Sequence, residues 1–188
     1  MSGLPPDPPA FEPFEVLRSD RIYDSDWVGL RRDVLRLHDG TEQEHHVVEI
    51  AEAVVVVPVL DDGRIILIGH YRHATHRTSW EVPAGRIAGG ETARGTAERE
   101  LAEEAGYRAG RMLSLPGFYP TNGISAHYSH TFCALDCVQL PSANPESSEQ
   151  ILVRPHTRAQ VEALLDAGKI EGGFSAIALM YYLRLADR

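Results

Sequence analysis

The sequence is poor in cysteine, in lysine and in long apolar runs. Cys133 and Cys137 are its only cysteines, too few for a disulfide framework, so a reducing compartment and a cytoplasmic location are expected. Its longest apolar stretch, Ala53 to Leu60, falls far short of the roughly 20 residues that cross a bilayer as a helix. The start, Met1-Ser2-Gly3-Leu4-Pro5-Pro6, has neither the basic nor the apolar region of a secretory signal, and no membrane partner is expected. Basic charge is also scarce. Eighteen Lys and Arg face 27 Asp and Glu, a formal net charge of −9, and Lys169 is the single lysine. That balance argues against a general nucleic-acid binder, which needs a basic face, but leaves room for small phosphorylated ligands held in a local pocket.

What is present is the composition of a globular protein, 43% hydrophobic and 24% charged over 188 residues, about the size of one domain. Residues 1–13 are rich in proline and read as a disordered leader. Residues 14–43 read as an N-terminal β-arm of mostly two strands closed by the turn Asp39-Gly40; this stretch is too small for a core of its own. The main domain is expected over 44–188. In it Ala53–Val57 is β-branched and apolar on both faces, the mark of a buried strand, with Pro58 at its end. Asp61-Asp62-Gly63 marks a hairpin turn and 64–71 the return strand. Residues 79–90 read as a short strand running into a glycine-rich loop, and 92–105 as a helix with Thr92 at its N-cap and Gly106 just beyond its end. Strands follow at 111–118, 127–138 and 150–154, then a helix from Thr157 to near Gly168 and a last one from Ser175. This order predicts an α/β (α+β) fold, a mixed β-sheet sandwiched between helices in an α/β/α arrangement.

The chemistry concentrates in the helix at 92–105. At 100° per residue Glu100, Glu103 and Glu104 fall at about 0°, 300° and 40° and share one arc, while Ala93, Ala97, Leu101 and Ala105 form an adjacent apolar stripe. Three acids so close repel one another, and a hard divalent cation such as Mg²⁺ or Mn²⁺ would reverse that sign. Alone, the trio reads first as a solvated acidic face, since charge runs are usually surface. The loop Gly85–Gly90 ahead of it, running from a strand into the acidic helix, turns the balance toward a metal site.

Gly85, Glu91, Arg99-Glu100-Leu101, Glu103-Glu104 and Gly106, at their spacing over 85–107, resemble the signature of the Nudix hydrolases, with Tyr107 where an aliphatic residue is usual. Trp80-Glu81-Val82-Pro83-Ala84-Gly85 before it resembles the ADP-ribose pyrophosphatase branch. The resemblance implies a Nudix-type sandwich and Mg²⁺-dependent attack of water on a pyrophosphate, yielding a nucleoside monophosphate and a sugar phosphate. It implies Glu100 and Glu104 as principal metal ligands, Glu103 assisting, and the Ala84 carbonyl as a further ligand. Arg99 would orient the glutamates and Glu91 would fix the loop on the helix. Arg72 and Glu81 match positions near the substrate, and Phe118, Tyr119, Tyr128 and, from the arm, Tyr23 or Trp27 are candidates for stacking on the base. The branch also implies a homodimer that exchanges its arms, both subunits contributing to the site.

In that branch the catalytic base lies in an acidic loop before the C-terminal helices; Glu149 is the first choice here and Glu146 the second. The chain departs from the branch at Tyr119-Pro120-Thr121-Asn122-Gly123, where a Ser-Pro-Gly loop is frequent, and at Ile124–His127, which lacks a substrate-contacting glutamate. The substrate therefore stays open among ADP-ribose and related nucleoside diphosphate compounds, with GDP-mannose, ADP-glucose and NADH as alternatives. A non-hydrolytic nucleotide-sugar sensor is the reading from another class, and the intact carboxylates favour the enzyme. His70, His73 and His76 invite a zinc reading, but i and i+3 side chains of a strand face opposite ways.

Overall fold

In a computed structural model, residues 3–141 and 151–186 are described. The chain divides into two units, Met1–Ile50 and Ala51–Arg188. The first is an antiparallel meander of β1 (Glu15–Tyr23), β2 (Gly29–Arg36) and β3 (Glu42–Glu49), in the order β1-β2-β3. Its third strand takes in residues that the sequence pattern assigned to the main domain; β3 is polar (EQEHHVVE) and its alternation is weak, so only its pairing with β2 reveals it. Arginines and carboxylates lace the sheet: Arg31 pairs with Asp33 at 3.0 Å and with Glu49 at 2.8 Å, and Arg32 with Asp20 at 2.9 Å. At the Asp39-Gly40 turn Gly40 takes φ +84°, and Asp39 accepts from the Thr41 backbone N–H at 2.9 Å.

The second unit is built on β4 (Ala53–Pro58), whose six residues are all buried. It pairs in parallel with β10 (Ser129–Leu135) and antiparallel with β7 (Ala84–Arg86); β9 (Arg111–Phe118) completes a mixed sheet in the order β7-β4-β10-β9. A second sheet, β12-β5-β6, joins β5 (Ile65–Arg72), β6 (Arg77–Glu81) and β12 (Ile151–His156). Two short strands, β8 (Tyr107–Arg108) and β11 (Val138–Gln139), pair with each other. The helices are α1 (Ala93–Glu100), α2 (Arg158–Asp166) and α3 (Gly173–Ala186).

Strand alternation distributes the core to two faces. Val54, Val56, Ile66 and Ile68 pack with Ala97, Leu101 and Ala105 beside α1. Val55, Val57, Ile65 and Leu67 pack with Val161 of α2 and Ala178, Leu179 and Leu183 of α3. Every strand residue in that list is fully buried, each contributing about 1.5–3 kcal/mol of apolar transfer. Helices on both faces of mixed strands give the sandwich predicted from element order. Its turns follow the expected chemistry: Gly63 adopts φ +81° between β4 and β5, where only a residue without a Cβ is unstrained.

Two local features differ from the sequence pattern. The segment 79–90 holds two strands, β6 and β7, separated by Val82-Pro83; proline removes the N–H that would continue a ladder. The helix expected over 92–105 is α-helical only to Glu100, and Leu101–Ala105 winds as a π-helical turn ending at Gly106 with φ +74°. Its caps are as predicted, with the Thr92 hydroxyl accepting from Gly95 N–H at 3.1 Å.

Candidate active site

The site lies where β7 passes under α1. Gly85 sits against the Glu100 carboxylate, and a Cβ at that position would overlap it. The glycine is needed for close approach, and its backbone dihedral is ordinary. Next to it, Glu104 Oε2 accepts the Ala84 backbone N–H at 2.8 Å, so the carboxylate is nearly fully buried without being orphaned, as burial of a charge requires. The π-helical turn carries Glu103 and Glu104; such turns widen a helix and concentrate at functional sites.

Arg99 organises the other acids. Its guanidinium bonds Glu91 Oε1 at 3.1 Å and Glu103 Oε2 at 2.7 Å, and lies 2.9 Å from Glu100 Oε1. These carboxylates, Glu91 first, strengthen its hold on its proton. Glu91 in turn accepts from Thr96 Oγ1 at 2.8 Å and from Ala88 N–H at 3.4 Å, tying the glycine loop to the helix. The Arg99 guanidinium, then the Thr96 hydroxyl, hold the Glu91 carboxyl below the usual glutamate range.

The structure thus brings Glu91, Arg99, Glu100 and Glu103 together, and places Glu104 on Ala84, the residue of β7 next to the Gly85 that meets Glu100. Among the described residues no three His, Cys, Asp or Glu side chains are already gathered about one point; Glu100 and Glu103 meet on Arg99 instead. The donors are all hard carboxylate oxygens, the Gly85 cradle is shaped to one of them, and the set fits a hard divalent cation by its chemistry.

Arg72 and Glu81 also meet. Arg72 Nη2 lies 2.7 Å from Glu81 Oε2, its Nε reaches both oxygens at 3.1 and 3.2 Å, and Ser79 Oγ donates to Glu81 Oε1 at 3.1 Å. Trp27 lies in the first unit and is 69% exposed. Glu146 and Glu149 fall outside the described residues. Of the three histidines, His70 is buried, whereas His73 and His76 are exposed and meet edge to face at 5.1 Å. Cys133 and Cys137 are buried free thiols, pushed up to about 12 and about 11 by burial.

Sequence reasoning missed one neighbour of the site. His70 Nδ1 stands 3.9 Å from Glu104 Oε1, both side chains being buried. A signal was present: Ile66, Ile68 and His70 alternate on β5, and the two isoleucines pack in the cluster that holds α1, so period-2 alternation carries His70 to the same face.

Residues 50–171 match the NUDIX domain, well over half of the chain. The chain belongs to the NUDIX family and is a Nudix hydrolase. It is 27% identical over 168 residues to the ADP-ribose pyrophosphatase of Bacillus subtilis (strain 168), covering 89% of this chain and 91% of that one. It is 33% identical over 142 residues to the ADP-ribose pyrophosphatase of Mycobacterium tuberculosis (strain ATCC 25618 / H37Rv), covering 74% and 69%. A crystal structure of an ADP compounds hydrolase superposes with a TM-score of 0.83 over 96% of this chain and 97% of that one; at 20% identity it shares the fold. The family generally uses a divalent metal ion. No helix among the described residues is long and apolar enough to cross a membrane.

Proposed function

We propose that this chain is a Mg²⁺-dependent pyrophosphatase, with Mn²⁺ as a substitute, that hydrolyses ADP-ribose or a related nucleoside diphosphate sugar. The observation that carries the reading is the acidic array over Gly85: Glu100 in a cradle that no side chain at 85 would leave open, Glu103 beside it on Arg99, and Glu104 anchored on Ala84. The two ADP-ribose pyrophosphatases it resembles along most of their length supply the substrate class.

Glu100 and Glu104 are the principal metal ligands in this reading, with Glu103 and the Ala84 carbonyl assisting. A divalent cation held there neutralises diphosphate charge and makes water a better nucleophile. Arg99 keeps Glu91, Glu100 and Glu103 in register, so that little reorganisation remains when substrate arrives. Arg72, fixed by Glu81, offers a planar fork to diphosphate oxygens, and Trp27 offers a ring for the base. Glu149, or Glu146 in its place, takes the proton from water as its oxygen bonds phosphorus. The P–O bond of the anhydride breaks, and ADP-ribose yields AMP and ribose 5-phosphate.

The substrate is a small nucleotide sugar; the net charge of −9 opposes nucleic acid, and a cytoplasmic homodimer completes the reading. The test is hydrolysis of a panel (ADP-ribose, ADP-glucose, GDP-mannose, NADH) with and without Mg²⁺, products identified by mass. AMP plus ribose 5-phosphate, abolished by EDTA, is expected. No turnover on any member would overturn the proposal in favour of a nucleotide-sugar sensor. In Glu104→Gln the amide oxygen still accepts from Ala84, so the protein stays folded while kcat falls about 10²–10³-fold, the loss typical when one preorganised electrostatic group is removed. Wild-type turnover in that variant contradicts the ligand assignment.

A further inference from the structure

The second unit contains a cavity of about 450 Å³ whose lining includes none of the proposed metal ligands. Its walls are Thr78, Ser79 and Trp80 of β6, Leu152 of β12 and Leu164 of α2, and Gly69 of β5 lies between Trp80 and Leu152. A Cβ on Gly69 would come to 3.5 Å from the Leu152 Cβ and 3.6 Å from the Trp80 ring. That is ordinary contact, so alanine would fit and a branched side chain would fill the space. The glycine therefore leaves the hollow open. Its size lies in the range of small-molecule sites, about 300–1,000 Å³.

The cavity has one cationic group, Lys169, the only lysine of the chain. Its backbone is fixed: Gly168 closes α2 at φ +62°, and the Lys169 N–H donates to the Leu164 carbonyl at 2.8 Å. No arginine lines the cavity, and Arg77, beside the Thr78 wall, is engaged with Glu171 at 3.0 Å. Lys169 makes no ion pair with any described residue. Leu152, on the same rim, is 50% exposed, and the Trp80 ring is held edge-on against His156 at 4.8 Å. Trp80 and two leucines thus offer apolar surface, with Thr78 and Ser79 on the same wall, beside one ammonium that no described residue pairs with.

This combination selects its ligand. A phosphate dianion is strongly hydrated and is matched by arginine forks or several backbone amides, neither of which lines the hollow. One ammonium balances one carboxylate, and the apolar wall rewards an apolar body attached to it. We infer that the Gly69–Trp80–Leu152–Lys169 cavity binds a small amphipathic monocarboxylate, of the aryl or medium-chain class, with its carboxylate on Lys169 and its apolar part against Trp80.

The chain has two tryptophans, Trp27 and Trp80, so Trp27→Phe makes Trp80 the only indole reporter. Phenylacetate is titrated into that full-length variant, with neutral phenylacetamide as the matched control. A saturable change in Trp80 emission is expected with phenylacetate, with the amide at least about tenfold weaker, or about 1.4 kcal/mol. Adding Lys169→Gln, an exposed substitution that leaves the core untouched, should weaken the acid about tenfold and the amide little. Gly69→Val, checked for folding by circular dichroism, should abolish both responses. Equal responses to acid and amide, indifference to Lys169→Gln, or no saturable response would each overturn the inference. So would Trp80 emission that ignores phenylacetate and changes with protein concentration, since a second copy of the chain would then cover the hollow. The readout is fluorescence and is independent of turnover.

Discussion

A single hydrogen at Gly85 decides whether Glu100 can lie where it does. In Gly85→Ala the new methyl displaces the carboxylate from its cradle, and a misplaced reacting group costs about 10²-fold in rate; Mg²⁺-dependent turnover is expected to drop by that order while far-ultraviolet circular dichroism keeps its shape. The glycine-rich loop ahead of the acidic helix made this residue visible in the sequence; the structure shows its constraint to be the approach of the Glu100 side chain from the helix. Arg99 is the other pivot. Because Glu91 is held below the ordinary glutamate range by Arg99 and Thr96, its contribution to stability is present above the unfolded-state value and lost as pH falls through the folded one. Melting temperature should therefore decline below about pH 4, and Glu91→Gln should flatten part of that decline in a thermal-melt series against pH. An unchanged slope would mean that the carboxylate has no preferential partner in the folded state.

At the scale of elements, local signals and packing divide the work. Thr157 and Gln160 form a complete capping box at the start of α2, the Gln160 side chain accepting the Thr157 N–H at 2.8 Å and Gln160 N–H donating to Thr157 Oγ1 at 3.3 Å. Thr157→Ala should cost about 1 kcal/mol in chemical denaturation, a few degrees in melting temperature for a domain of this size. Caps of this kind were legible because they depend on residues three apart. Strand β4 was legible for a different reason, since its unbroken valines suit only a strand covered on both faces. The π-helical turn after Glu100 was not. A 3.6-residue period places Glu103 and Glu104 at fixed angles from Glu100, and nothing in the residue types announces the change to i→i+5 bonding that moves them. The structure holds the three acids at two anchor points, Arg99 for Glu100 and Glu103, and Ala84 for Glu104, which a helical angle by itself does not supply.

At the scale of the whole molecule the chain presents a three-stranded first unit and a sandwich second unit. The first has no apolar core cluster among the described residues, and it exposes Val16 at 56%, Ile22 at 50%, Tyr23 at 56% and Trp27 at 69%. Apolar surface of that kind marks an association face, which supports the proposed homodimer. Sedimentation equilibrium should return twice the 20.8 kDa of one chain, and Trp27→Asp with Ile22→Asp should shift it toward the monomer. A monomeric wild type at micromolar concentration contradicts the dimer.

The order of elements, the helix caps and the buried β4 were determined by the sequence on its own, because each is written in spacings of two to four residues that the backbone geometry turns directly into a shared face; the acidic box with its arginine was legible through its resemblance to the Nudix signature over 85–107. Only the tertiary structure decided that Gly85 lies under Glu100, that His70 faces Glu104, that Arg72 closes on Glu81 and that a third strand completes the arm. Those contacts are made by strand pairing and by packing of the helix on the sheet, and the distance between residues far apart in the chain is set by which surfaces bury each other, a quantity no local pattern contains.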